Sequence, residues 1–236
     1  IQLLRRHGMI PFSTEIQQQI SQRENRDKAK WLENYVKHDI QSLGVGIPEI
    51  RDIIRQAERE HRLTQLPISE QTEMLNDLMH QPITEYKLAA ILFVQLYWKT
   101  SEPDATMRMI SGWFDQRWIS DWNVCDWLCV RLLSPLVDSQ PTIIDELSRW
   151  NTDPYLWKAR ASLVPFAQCK SIGQHREMIA ELSKTLIQRD ERFCKTAVGW
   201  VMREYSKIDP LFVTDFLEKY QEWTTTEVIK NARKYM

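Results

Sequence analysis

LAAILFVQLY (Leu88–Tyr97), NVCDWLCVRL (Asn123–Leu132), KARASLVPFA (Lys158–Ala167) and KTAVGWVMRE (Lys195–Glu204) begin 35, 35 and 37 residues apart. Each is an apolar stretch with helical periodicity, and each follows another helical stretch after a short polar or Pro-bearing turn. A period of that length, built from helix pairs, is the pattern of an α-solenoid of HEAT-like repeats. One pair alone has nothing to bury its apolar face against; stacked pairs cover each other. The expected architecture is all-α: a right-handed α-α superhelix forming a single HEAT-like repeat domain over residues 1–236. Its second helices would line a concave face on which a long ligand could lie.

The punctuation between these stretches agrees. Asp153-Pro154 and Asp209-Pro210 each set a capping acid before a Pro at the first helical position, and Pro48, Pro103 and Pro141 sit in similar opening positions. Gly44-Val45-Gly46 is expected to end a helix that runs through Trp31, Tyr35 and Ile40. Helical periodicity also spans Glu85–Trp98 and Cys194–Lys207. No Asn-Gly or Asp-Gly hairpin dipeptide occurs, and Gly is scarce, 6 in 236 residues, against a usual share of about 7%. A β-sandwich or barrel is thereby disfavoured.

Hydrophobic residues at 43% and charged residues at 27% exclude wholesale disorder. No apolar run approaches the roughly 18–20 residues of a membrane span, and no signal-type core follows Arg5-Arg6-His7. A cytoplasmic protein without membrane contact is expected. The chain begins at Ile1, not Met, so the native start is expected to lie upstream. Cys125 and Cys129 are one helical turn apart, at poor disulfide geometry, and Cys169 and Cys194 stand alone. The 5 histidines complete no ligand spacing. Reduced, buried thiols with no metal and no cofactor are the reading.

The net charge of −1 is unevenly spread. Residues 61–154 hold 7 Lys/Arg against 13 Asp/Glu, a balance of −6, and residues 155–207 hold 10 against 5, a balance of +5. The near-neutral total argues against a nucleic-acid binder, because phosphate neutralisation dominates such affinity, whereas the local excess restores that possibility for one face. The 10 tryptophans are the unusual count, and several stand beside charges. Trp122 and Asp126, at i and i+4, share a helix face. So do Trp157 and Arg160, and then Trp200, Arg203 and Lys207. Three successive second helices therefore offer a Trp beside a charge, in register. Indole faces with Arg and Lys suit a nucleic-acid backbone. Asp126 is out of place there, since a carboxylate repels phosphate, and it needs another purpose.

SDWNVCDW (Ser120–Trp127), LWKARASLV (Leu156–Val164), KTAVGWVMREYSK (Lys195–Lys207) and YVKHDIQSLGVGIPEIR (Tyr35–Arg51) together resemble the AlkD-like DNA alkylation repair proteins of bacteria. These are monofunctional DNA glycosylases of HEAT-like repeats acting in base excision repair. The resemblance implies that the family's Trp-x-x-x-Asp motif falls on Trp122 and Asp126, its second active-site Trp on Trp200, and its catalytic-face Arg on Arg160. Tyr35 matches an aromatic at the concave edge of the first repeat. Trp157, Lys195, Arg203 and Lys207 join Arg160 and Tyr35 as expected DNA-binding residues. Two positions depart from the family pattern: Asn123 follows the first Trp where an acid is common, and Gly46 stands where a Gln is expected.

The implied partner is double-stranded DNA carrying alkylated purines, bound by a monomer. The implied chemistry is physically coherent. A purine alkylated at N3 or N7 is cationic and leaves as a neutral base, so no strong general acid is required. What remains is to stabilise positive charge on the deoxyribose, which suits Asp126, with the π-faces of Trp122 and Trp200 beside it. Arg160 would hold a phosphate. The resemblance further implies that the backbone is gripped and no base is flipped into a pocket. Two alternatives stay open: a catalytically silent DNA-binding relative recognising damaged or branched DNA, and a helical-repeat scaffold for a protein.

Overall fold

The computed structural model describes residues 10–37 and 40–236. Among these the chain is helical, with one isolated bridge between Gln41 and Ile83 and no strand. The helices are α1 (Phe12–Ser21), α2 (Arg26–Val36), α3 (Ile47–His61), α4 (Ile68–His80) and α5 (Thr84–Phe93). There follow α6 (Pro103–Asp115), α7 (Trp122–Leu128), α8 (Ser134–Ser139), α9 (Ile143–Trp150) and α10 (Leu156–Ala161). The last are α11 (Pro165–Gln168), α12 (Arg176–Ile187), α13 (Arg192–Tyr205), α14 (Pro210–Lys219) and α15 (Thr226–Ala232). The Arg5-Arg6-His7 start and His38-Asp39 lie outside the described residues.

By chain contacts there are two compact units: Ile1–Trp98 with Asp115–Val124, and Lys99–Phe114 with Cys125–Met236. In the first, α5 is the central helix. All ten of its residues are buried, and it packs on α1, α3 and α4. In the second, α13 takes that place, packed by α10, α11, α12, α14 and α15. Gly199 of α13 lets α15 approach closely, because a Cβ there would meet Val228 Cα at 3.3 Å.

Lysines on the inner helices, Lys87 and Lys158 buried and Lys195 half-buried, mark the repeat. Lys87 Nζ donates to the Met79 carbonyl at 2.7 Å and to the Trp118 carbonyl at 2.6 Å. Lys195 Nζ donates to the Ile187 carbonyl, again eight residues back, at 2.7 Å and to the Trp223 carbonyl at 2.6 Å. Lys158 Nζ lies 5.6 Å from the ring of Trp150, also eight residues back. Each ammonium thus reaches the end of the preceding helix, where unpaired carbonyls concentrate negative charge. Counted on these lysines, Trp122 and Trp157 hold the same repeat position, one residue before Asn123 and Lys158, but Trp200 lies five residues beyond Lys195. The three tryptophans are therefore not in one register.

Burial lowers the Lys87 amine to about 8, and the nearby Asp121 carboxylate opposes this. Because the folded value lies below the ordinary 10.5, the unfolded chain binds more protons between those two pH values, and this group's contribution to stability rises with pH across that window. Below pH 8 its penalty is constant. Wild type should accordingly gain up to about 3 kcal/mol on a Lys87→Met variant between pH 8 and pH 10.5, measured by urea unfolding.

Several local expectations meet corrections. Asp209 caps α14 as expected, accepting from Phe212 N at 3.1 Å. Asp153 instead accepts from Tyr155 N at 2.8 Å, closing a turn, so α10 starts only at Leu156. Helix α2 does not continue through Ile40. It stops at Val36, with Lys37 in the left-handed region at φ 55°. Glu85 pins the loop beyond: it accepts from Ser42 Oγ at 2.6 Å, Leu43 N at 2.9 Å and Gly44 N at 2.9 Å. Gly44 itself has φ +71°, and a Cβ there would fall 2.1 Å from the Asn25 carbonyl oxygen. Gly44→Ala should therefore cost at least about 2 kcal/mol in urea unfolding, from the left-handed penalty and overpacking together.

Two π-helical turns, Val94–Trp98 and Cys129–Leu133, interrupt the pattern. The second has an identifiable cause. Pro135 carries no N–H for the carbonyl of Arg131, and its ring crowds that oxygen, so the turn before it widens. Ser134 Oγ ties this turn to α11 by donating to the Pro165 carbonyl at 2.7 Å.

Candidate active site

Helix α7 carries both residues of the Trp-x-x-x-Asp motif. It starts where it does because Asp121, 3% exposed, caps it and accepts from Val124 N at 2.9 Å. Lys87, bonded to the Trp118 carbonyl, braces the segment that leads into this cap. Asp121 and Lys87 were not singled out from the sequence. The signal for Asp121 was present: an acid immediately before an apolar helical run.

Within the first unit, Trp122 is half-buried and donates its indole N–H to the Val36 carbonyl at 3.0 Å, satisfying an orphan at the end of α2. Tyr35 meets Trp122 edge-on, with ring centroids 5.4 Å apart at 71°. Trp31 stacks on Tyr35 at 5.1 Å and 7°. Tyr35 and Trp122 are thus brought together. Trp31, which joins them, went unnoticed in the sequence because periodicity assigned it to a helix face without saying which side was covered.

Within the second unit, Asp126 pairs with Arg160 through two parallel bonds. Nε donates to one carboxylate oxygen at 2.9 Å and Nη2 to the other at 3.0 Å. Arg160 Nη1 donates to the Phe193 carbonyl at 2.7 Å and to Thr196 Oγ1 at 3.1 Å. The guanidinium also lies 5.7 Å from the Phe193 ring, whose other neighbours are Trp157, at 5.0 Å, and the Arg192 guanidinium, at 5.2 Å. Burial alone would lower the Arg160 value, but the charge and hydrogen bonds of Asp126 outweigh it and hold the group above its ordinary range. The side chain of Arg160 is 6% exposed and that of Asp126 is 18% exposed, so the carboxylate keeps an edge toward solvent. Burial pushes the neighbouring Cys125 thiol well above its ordinary value, which makes it an inert packing group. All four cysteines are free and buried, as expected.

The other expected residues fall differently. Arg160 was expected to hold a phosphate; here four of its N–H donors are engaged inside the protein. Trp157, expected to stack on DNA, is 4% exposed and turned to Phe193. Lys195 braces two carbonyls. Arg203 and Lys207 do come together: both pair with Glu204, at 3.1 and 2.7 Å, and both approach the ring of Tyr235, at 5.9 and 4.6 Å. Trp200 is half-buried, and its buried Nε1 has no hydrogen-bond partner among the described residues. Phe193 and Thr196, which fix Arg160, were missed because the contacts span 33 and 36 residues. Thr196 also lines an open cleft of about 380 Å³ with Gly199, Glu227, Val228, Lys230 and Asn231.

Much of the +5 excess of residues 155–207 is neutralised internally. Acids outside that segment supply the balance: Arg160 pairs with Asp126, Arg176 with Asp209, and Arg192 with Glu227. Among the described residues, no helix is long and apolar enough to cross a membrane.

Comparison with known proteins agrees with the helical architecture. Among solved structures, a protein described as a predicted DNA alkylation repair enzyme from Enterococcus faecalis superposes with a TM-score of 0.75 at 18% identity, over 90% of this chain and 96% of that one. AlkD2 from Streptococcus mutans superposes with a TM-score of 0.58 at 14% identity, over 89% of this chain and 98% of that one. At these identities the likeness is one of fold. No curated protein sequence matches the chain. The family model described as DNA alkylation repair enzyme, however, matches residues 16–236, nearly the whole length. The chain belongs to the DNA alkylation repair enzyme family.

Proposed function

We propose that the protein is a monofunctional DNA N-glycosylase that removes cationic N3- or N7-alkylated purines from double-stranded DNA, working as a monomer without metal or cofactor. The observation that carries this reading is the Asp126–Arg160 pair: a partly exposed carboxylate held by both oxygens, at 2.9 and 3.0 Å, one turn along α7 from Trp122. Such a carboxylate is preorganised. Arg160 takes one lone pair from each oxygen, and the remaining lone pairs are left to face a developing cation.

In the proposed reaction the C1′–N bond breaks heterolytically, and its electron pair neutralises the purine cation. Asp126 stabilises the oxocarbenium-like sugar. A water oxygen then bonds to C1′, and its proton passes to Asp126 and on to solvent. The lesion brings its own leaving-group activation, so a single acidic side chain suffices. Trp122 and Trp200 are proposed to add cation–π attraction, worth up to about 2 kcal/mol when desolvated. Tyr35, Arg203 and Lys207 are proposed to contact the DNA. Arg160 acts in this scheme by positioning Asp126, a revision of its expected role on phosphate.

The test is direct. Methylated duplex DNA incubated with the protein should acquire alkali-labile breaks at alkylated purines, and unmethylated duplex should not. Retarded but intact methylated DNA would favour the catalytically silent reading, and no binding at all would favour a protein scaffold.

A further inference from the structure

The outer ring of the aromatic stack on α2 has no use in the reaction just described. Trp31 is 65% exposed and Tyr35 is 56% exposed, yet their rings lie parallel at 5.1 Å and 7°. Two large aromatic faces left in water are unfavourable, and a fixed parallel pair offers a flat, rigid surface. One face of Trp31 rests on Tyr35, and among the described residues no other ring stacks on it. The cations around it are equally uncommitted. Lys28 shares the helix face of Trp31 at i−3, Lys30 stands on the adjoining side of α2, and Lys37 is the left-handed residue that ends it. All three lysines are exposed, and no ion pair involves them among the described residues. On this helix and its cap the exposed anion is Asp27, since Glu33 is half-buried and accepts from Ser42 N at 3.0 Å.

We infer that the Trp31–Tyr35 stack is a platform for an unpaired nucleobase, with Lys28 and Lys30 taking the phosphates on either side of it. Aromatic side chains interleaved with basic ones on one exposed helix are what a single strand requires: a π-face for the base and charge for the backbone. A base inside an intact duplex shows only its edges, so the platform selects DNA in which a base has left the stack. This inference rests on the reading of the protein as a DNA-binding enzyme, and it adds a second recognition element on α2. Trp31 is exposed and its removal leaves the core intact, so the variants should fold.

The experiment measures fluorescence anisotropy of a labelled oligothymidylate and of a fully paired hairpin duplex, with wild type, Trp31→Ala and Trp31→Phe. Trp31→Ala should weaken oligothymidylate binding by about 5–150-fold, the loss of one stacked base. Trp31→Phe should lose less, and hairpin affinity should stay within about twofold. Oligothymidylate binding that is absent in wild type, or unchanged in Trp31→Ala, overturns the proposal. So does sedimentation showing a wild-type dimer that Trp31→Ala converts to monomer, because the stack would then be covered by a second copy. Failure of the glycosylase reading is distinguishable: it appears as absent base release from methylated DNA, whatever Trp31 does to single-strand binding.

Discussion

Asp126→Asn is expected to release 7-methylguanine from methylated duplex DNA about 10²–10³ times more slowly than wild type in single turnovers, the cost of losing one preorganised electrostatic group. The substitution nearly preserves shape and removes the charge. It also turns one of the two oxygens that accept from Arg160 into an NH2 that cannot, leaving the amide oxygen, the Phe193 carbonyl and Thr196 Oγ1 as acceptors for the guanidinium. Some stability is therefore lost as well, and rates must be compared below the thermal midpoint of the variant. Binding to undamaged duplex should hold or improve, since a carboxylate beside phosphates is unfavourable in the ground state. A purely structural Asp126 gives the other pairing: a lower midpoint and wild-type release from the protein that stays folded.

Arg160→Ala should have the largest effect on stability, about 3–5 kcal/mol by chemical denaturation. It strips the partly buried Asp126 of its partner, removes the donor that the Phe193 carbonyl and Thr196 Oγ1 share, and opens space beside Trp157 and Phe193. Arg160→Lys keeps the charge but not the fork, so it should recover part of the stability while base release stays low, because one ammonium does not fix both carboxylate oxygens. If Arg160 served as a phosphate clamp in place of a positioning residue, Arg160→Lys would retain release and Arg160→Ala would flatten the salt dependence of binding by about one unit of slope.

The helical class was legible because Gly scarcity, the absent hairpin dipeptides and the apolar stretches all point one way. Asp209-Pro210 worked as a cap for the same reason: capping is a contact over three residues. Legibility ended where contacts are long in sequence. Nothing in the spacing of Asp126 and Arg160 foretells a bond between residues 34 apart, and the phosphate role expected of Arg160 followed from ignoring that partner. Trp157 misled in the same way, since helical periodicity places it on a face but only Phe193 decides that the face is covered. The lysine braces were hidden because a Lys on an apolar helix reads as a solvated edge. In fact Lys87, Lys158 and Lys195 are directed to preceding helix ends, where the field of the carbonyls favours an ammonium. The π turn at Cys129–Leu133 could have been foreseen from Pro135, had its missing N–H been counted.

The measurement that tests the account most directly is chromatography of the small molecules released when the wild-type protein meets methylated duplex DNA. Excision predicts free 3-methyladenine or 7-methylguanine as the bare base, leaving an abasic strand of full length, and a strongly reduced yield from Asp126→Asn. An alkylated nucleotide released with its sugar, lost methyl groups with the purines still in the strand, or no release at all would contradict it.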